Sequence, residues 1–289
     1  MARPPFVDTH VHFHDFSHPT LRWDWLLPEA DDPDLGDYGA IKARRYLPDD
    51  FVGETRFENV SAVVHVQAAI GSPDPVDETQ WLEELAERTG IPQGIVAYAD
   101  LAASDAEAVL ARHAECPRLR GIRDLRYDDY LSDQAWARGF GLLERFGLVL
   151  CDDPHPAEMG LLADIAARHP GITVCIDHAG FPKRRDDEHF REWREGMARL
   201  AGVESTVVKI SGLGMADHRW TVESLRRWVL TCIELWGTER SFFGTNWPVD
   251  RIFSSYGDVL DAYDELTSDL GEGDRQALFN ANASRVFRL

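Results

Sequence analysis

The sequence predicts an α/β fold, a (β/α)8 TIM barrel, on three observations. Short β-branched runs alternate with helical-period stretches along the 289 residues, the pattern of βα units around a parallel sheet. Eight such runs occur, several almost wholly apolar, as strands buried on both faces must be. Polar residues gather at the C-terminal ends of these runs, the face on which such barrels build their sites.

The first run, Phe6 to Phe13, carries Asp8-Thr9-His10-Val11-His12-Phe13-His14 at its end. Alternate residues share one face of a strand, and imidazole is both the commonest metal ligand and the side chain that titrates nearest neutrality. A polar strand end with chance histidines is the competing reading. From His14 to about Glu58 runs a long first βα insertion with Trp23, Trp25, Tyr38 and Tyr46. In a barrel it lies over the C-terminal face, where its aromatics pack the loop down or, as assigned to Trp25, line a substrate pocket. The acidic stretch Glu29 to Asp37 reads as a solvated loop.

The second run, Val60 to Ala69, precedes an amphipathic helix over Glu78 to Thr89. Gly94 to Leu101 follows, and Ser104-Asp105-Ala106-Glu107 reads as a capping box opening Ala106 to Ala114. The remaining pairs are Leu119 to Leu125 with Gln134 to Phe146, Gly147 to Asp153 with Ala157 to His169, and Ile172 to Ala179 with Glu188 to Leu200. Thr206 to Leu213 pairs with Val222 to Trp236, and Ser241 to Val249 with Tyr256 to Thr267, before a terminal helix from about Glu272. Gly90, Gly147, Gly171, Gly202 and Gly237 fall where helices should stop. A doubly wound open sheet is the alternative, but no Gly-x-Gly-x-x-Gly follows the first run.

Composition narrows the function classes. With 44% hydrophobic and 28% charged residues the chain can bury a large core, and without a linker-like tract residues 1–289 read as a single domain. Lys plus Arg number 30 against 50 for Asp plus Glu, a formal charge of -20 that disfavours nucleic acid as a partner. A local arginine can still hold a small anion. No run approaches 18 apolar residues and Met-Ala-Arg-Pro-Pro lacks a signal core, so a cytoplasmic protein without a membrane contact is expected. Cys116, Cys151, Cys175 and Cys232 lack Cys-x-x-Cys spacing and read as reduced thiols. A small-molecule substrate is the expected partner, and a homo-oligomer is compatible with the sequence.

The strand ends supply, in order, Asp8, His10 and His12; His65 and Gln67; Tyr98 and Asp100; Arg123, Asp124 and Arg126; Asp152, Asp153 and His155; Asp177 and His178; Lys209 and Ser211; and Thr245, Asn246 and Asp250. His65 is as readily a hydrogen-bonded barrel residue as a catalyst. Lys209 reads either as an ion-pair partner of an acidic strand end or as a substrate contact. Asp8 reads as a carboxylate that orients a histidine.

Several stretches resemble the amidohydrolase-2 family, metal-dependent-hydrolase-like barrels that include sugar-lactone and pyrone-dicarboxylate lactonases. They are Asp-Thr-His-Val-His at 8 to 12, Val-His-Val-Gln-Ala-Ala at 64 to 69, Glu-Thr-Gln-Trp-Leu at 78 to 82 and Arg-Gly-Ile-Arg at 120 to 123. Asp-His-Ala-Gly-Phe-Pro at 177 to 182, Lys-Ile-Ser-Gly-Leu-Gly at 209 to 214 and Phe-Gly-Thr-Asn-Trp-Pro-Val-Asp at 243 to 250 complete the series. The resemblance implies that His10, His12 and His178 bind one divalent metal, zinc or manganese. In relatives without metal the first-strand pair helps hold substrate, and the sixth-strand histidine polarises the scissile carbonyl. It also implies that Arg123 faces a substrate carbonyl or carboxylate; Gln67, Trp25 and Lys209 are the further candidate substrate contacts.

Asn246 departs from the aspartate that many relatives carry there as ligand and base. An amide cannot take a proton from water at neutral pH. Another base, with His65, Asp250, Asp177 or Asp152 as candidates, is preferred over lost activity or a deliberate substitution. The resulting expectation is a hydrolase that opens a small lactone of a sugar acid or ring-cleavage product by activated-water attack, with His178, Asn246, His65 and Asp250 in the catalytic set. A decarboxylase on the same barrel and a non-catalytic small-molecule binder are the alternatives.

Overall fold

The computed structural model describes residues 2–124 and 129–289, and eight strands lie in one sheet in chain order. They are β1 (Phe6–Val11), β2 (Val60–Val66), β3 (Gly94–Ala97), β4 (Leu119–Ile122), β5 (Val149–Asp152), β6 (Val174–Ile176), β7 (Thr206–Ile210) and β8 (Ser241–Phe243). All seven neighbouring pairs are parallel. The sheet closes where Val11 bridges to Trp247, with the His12 amide donating to the Trp247 carbonyl at 2.7 Å and the Trp247 amide to the His10 carbonyl at 3.1 Å. The closing seam therefore runs through the histidine pair.

Every expected run contains a strand, and each strand is shorter than its run. The residues past the last paired position turn toward the mouth, which is why Gln67, Arg123 and Asn246 stand on loops and His178 in the short 3-10 turn Asp177–Gly180. Arg126 lies outside the described residues.

The helices are α1 (Pro48–Thr55), α2 (Val76–Thr89), α3 (Ala106–His113), α4 (Gln134–Phe146), α5 (Met159–Arg168), α6 (Asp187–Ala201), α7 (Leu213–Ala216), α8 (Val222–Trp236) and α9 (Tyr256–Leu266). Caps set several ends: the Asp133 side chain accepts from the Ala135 amide at 2.7 Å, and Gly90 and Gly147 end α2 and α4 in the left-handed region that glycine favours. Ser104 does not form the expected capping box. Asp105 is the N-cap of α3 and makes no side-chain cap bond, because backbone bonds from Ala103 to Asp100 and from Ala106 to Ala103 already turn the chain there. Gly171 lies beyond the end of α5, which His169 terminates, and Gly202 ends α6 with φ −66°, without a left-handed turn.

The terminal segment breaks into Glu272–Gln276, a π turn over Ala277–Ala281 and Asn282–Phe287. Its Phe287 packs with Val7, Val64, Val96, Val207 and Phe242 into a core cluster separate from the main one. Over the opposite face the insertion pairs His14–Asp15 antiparallel with Arg45–Tyr46 and buries Trp23 edge-on against Trp81, centroids 5.6 Å apart. Asp34 ties it down through Lys183 at 2.6 Å and, by its carbonyl, through His218 at 2.8 Å. No described helix is long and apolar enough to cross a membrane.

Candidate active site

A cavity of about 340 Å³ opens at the barrel mouth, lined by His12, Trp25, Gln67, Arg123, Asp153, His178, Met215 and Asn246, with Asp32, Asp34 and Leu35 from the insertion. A wider groove of about 490 Å³ beside α8, at Arg185, Arg227 and Trp228, has no imidazole in its walls. Volume therefore does not select the site; the convergence of strand ends does.

Three imidazoles meet here. His10 lies 4.9 Å from His12 and 4.4 Å from His178 by ring centroid. Burial holds all three neutral: His12 falls to about 3, mainly by burial with the Arg123 guanidinium adding to it, and His10 and His178 fall well below their ordinary value. Two rings are fixed from behind, His12 by Nδ1 against the Val66 carbonyl at 2.9 Å and His178 by Nδ1 against Ser211 Oγ at 3.0 Å. A neutral His12 must donate from Nδ1 to that carbonyl, so its Nε2 presents a lone pair. That lone pair faces Asn246 Oδ1 at 3.4 Å. The Asn246 amide is oriented too, because its Nδ2 donates to Asp250 Oδ2 at 2.7 Å. Two acceptors thus face each other, while among the described residues neither nitrogen of the buried His10 has a hydrogen-bond partner. Such a donor-poor, nitrogen-rich set fits a divalent cation of the zinc class.

Among the described residues, the three metal-capable side chains whose ligand atoms lie within 4.8 Å of one another are Cys151, Cys175 and Asp177; the three histidines do not meet that spacing. Lys209 already serves that group, its Nζ 2.9 Å from Asp177 Oδ1 and 4.0 Å from Cys151 Sγ.

The sequence-derived set divides on this geometry. His12, Trp25, Gln67, Arg123, His178 and Asn246 share the cavity wall. Trp25 is seated by its Nε1 donating to the Ala68 carbonyl at 2.9 Å, and the Gln67 amide, 2% exposed, has no partner at either end among the described residues. His65 has both ring nitrogens engaged outside the cavity wall: its Nδ1 accepts from the Phe13 amide at 3.1 Å and its Nε2 faces Glu78 at 3.2 Å. Lys209 is not a substrate contact; it is wholly buried and paired with Asp177. Asp177 is thereby engaged, and Asp152 accepts from the Tyr130 hydroxyl at 2.6 Å, away from the cavity. Asp250 stands behind Asn246 and also accepts from the Gly214 amide at 3.2 Å. Asp8 orients no imidazole. It accepts from the Thr245 amide and hydroxyl, the Tyr256 hydroxyl and the His10 amide, joining β1 to the chain after β8.

Sequence reasoning gave no role to Asp153, the strand-end carboxylate that does line the cavity, where it meets Arg123 Nη2 at 3.2 Å. Burial is the main cause that raises its carboxyl above the ordinary value of 3.8, against the pull of Arg123. Glu78 was also missed as a support: one oxygen accepts from the Ala68 and Ala69 amides, both at 2.9 Å, and shapes the loop that carries Gln67.

Two wall residues sit on strained backbone. His178 and Asn246 have φ of 51° and 61°, and Ala179, Gly180 and Phe181 are also positive, a conformation that side-chain-bearing residues seldom adopt outside functional sites. Trp193 Nε1 donating to the Ala179 carbonyl at 2.8 Å supports this turn. Gly212, φ +61°, lets the next loop pass so closely that a Cβ there would lie 2.4 Å from His178 Nδ1. Gly212→Ala is expected to cost about 1–2 kcal/mol in urea unfolding from the left-handed backbone alone. Displacement of His178 should also weaken zinc binding about tenfold or more, read by chelator competition.

Comparison with known proteins adds family information. The Amidohydro_2 profile, described as amidohydrolase, matches residues 7–289. The chain is 32% identical to an uncharacterized protein y4mH of Sinorhizobium fredii over all of both chains. It is 27% identical to an L-fucono-1,5-lactonase of Burkholderia multivorans, covering 98% of this chain and 96% of that one. An amidohydrolase from Burkholderia multivorans solved with bound zinc superposes with a TM-score of 0.83 at 27% identity, over 98% of this chain and 99% of that one.

Proposed function

Since the chain belongs to the amidohydrolase family, we propose that it opens the ester ring of a small, uncharged, hydroxylated lactone with the help of one divalent cation. The observation that carries this reading is the pair of facing acceptors, His12 Nε2 and Asn246 Oδ1, beside two further neutral imidazoles at a cavity. His10, His12 and His178 would hold the ion, with Asn246 Oδ1 turned toward it. When bound, such an ion polarises an ester carbonyl and lowers the pKa of water toward roughly 7.

The chain's own groups supply the remaining chemistry. The Arg123 guanidinium, aimed across the wall, stabilises charge that develops on the carbonyl oxygen. Asp153 takes the proton of the attacking water and returns it to the ring oxygen as the C–O bond breaks, leaving a hydroxy acid. Gln67 offers one donor pair and one acceptor to substrate hydroxyls, and the Trp25 face covers the ring. Asp32 stands in the cavity wall and Arg123 is already matched by Asp153 and Asp177, so the wall offers a carboxylated substrate no unmatched charge and disfavours it. The likeness to L-fucono-1,5-lactonases supports a sugar lactone.

The test is proton release from a panel of sugar 1,4- and 1,5-lactones and pyrone carboxylates, before and after chelation and with zinc or manganese restored. Opening of neutral sugar lactones, lost on chelation and regained with metal, is expected. Metal-loaded protein that opens none of them overturns the proposal, and carbon dioxide release from an aromatic acid instead would identify a decarboxylase.

A further inference from the structure

Lys209 occupies an inward position of β7, where barrels ordinarily place branched apolar residues. It is among the largest wholly buried side chains of the protein, with the Phe287 ring 5.4 Å below its Nζ. Burial works against its charge, but Asp177 and the two thiols beside it outweigh burial and hold the ammonium above its ordinary value. A buried charge of this kind is weak as a source of stability, so its use has to be sought in what its partner touches.

That partner has two distinct ends. Asp177 Oδ1 is held by Lys209 at 2.9 Å. Among the described residues Asp177 Oδ2 makes no hydrogen bond; it stands 3.7 Å from His10 Nδ1 and 3.8 Å from Arg123 Nε. One carboxylate therefore links the barrel interior to a histidine and an arginine of the site. With Oδ1 pinned from below, Oδ2 can only face upward.

We infer that Lys209 is a positioning residue: by pinning Asp177 Oδ1 it aims Oδ2 at His10 Nδ1, fixing the His10 tautomer with hydrogen on Nδ1 and the lone pair on Nε2. A carboxylate behind an imidazole is the usual means by which a ligand histidine is oriented. Here the carboxylate is itself oriented by a lysine that touches neither the cavity nor the ion. The inference rests on His10 serving as a cation ligand and is independent of the substrate.

The tautomer is read directly by nitrogen-15 NMR of the native protein freed of metal by chelation. The Nδ1–H form of His10 is expected, and the Nε2–H form overturns the inference whatever the enzyme hydrolyses. Lys209→Met should give a mixture of tautomers and lower zinc affinity about 10- to 100-fold by chelator competition. Asp177→Asn should lower it by a similar factor, and the double variant, in which no charge is left unpaired, should fall no further than Asp177→Asn alone. Losses that multiply in the double variant, or zinc affinity kept within twofold in folded Lys209→Met, show that Lys209 does not act through Asp177. If Lys209→Met does not fold, the native tautomer still decides. Failure of every lactone assay with the expected tautomer intact would overturn the proposed reaction and leave the role of Lys209 standing.

Discussion

Asp153→Asn is expected to lower kcat for lactone opening by about 10²- to 10⁴-fold, the range for loss of a positioned proton acceptor, with zinc content unchanged. Among the strand-end carboxylates weighed as bases, Asp152, Asp177 and Asp250 are each held by a partner and stand outside the cavity lining. Asp153 lines the cavity, and burial raises its carboxyl above 3.8 toward the working range of a base. The amide that replaces the carboxylate can still accept from Arg123, so the guanidinium keeps its place. The acidic limb of the native kcat/KM profile, where protonated Asp153 is inactive and activity falls with pH, should disappear in the variant. An unchanged kcat, or an unchanged acidic limb, would remove Asp153 from the mechanism.

Asn246→Asp, which supplies the aspartate that the family resemblance leads one to expect at this position, is expected to reduce hydrolysis about tenfold or more. In the native site Asn246 Nδ2 gives a hydrogen to Asp250 Oδ2 at 2.7 Å. A carboxylate there sets two acceptors together, and like charges at that distance cannot both ionise in a buried site. Burial already lifts the Asp250 carboxyl to about 7 from 3.8. A folded pKa above the unfolded one means that the native state holds the extra proton and that stability falls as pH rises. The metal-free variant should therefore match the native protein below about pH 3.8, where both carboxyls are protonated in either state, and fall progressively behind it as pH rises above that value. The loss should reach about 1–3 kcal/mol, read by urea unfolding at a series of pH values. A gain in hydrolysis would instead show that Asn246 is a degenerate residue.

Much of the architecture was legible because it is written locally. A β-branched run bounded by turn residues favours a strand whatever surrounds it, and α4 and α8 match their expected bounds, Gln134–Phe146 and Val222–Trp236, because a cap and a glycine mark both ends of each. Strand ends were harder, since pairing stops where the neighbouring strand stops. The Ser104 capping box failed for a similar reason: backbone bonds in the preceding turn leave the hydroxyl no part to play.

At the site, the sequence by itself picked out the strand ends from which His12, Gln67, Arg123, His178 and Asn246 line the cavity, together with others, such as Asp152 and Lys209, that do not. Strand ends of a parallel barrel converge by topology. Only the tertiary structure decided what each one does there. Asp152 and Asp153 are adjacent, and successive side chains point to opposite faces, so one meets Tyr130 and the other the cavity. His65 and Lys209 carry the same chemistry as true site residues, yet Glu78, Phe13 and Asp177 engage them. A side chain's role depends on which lone pairs and protons its neighbours leave available, and those neighbours come from elements far away in the chain.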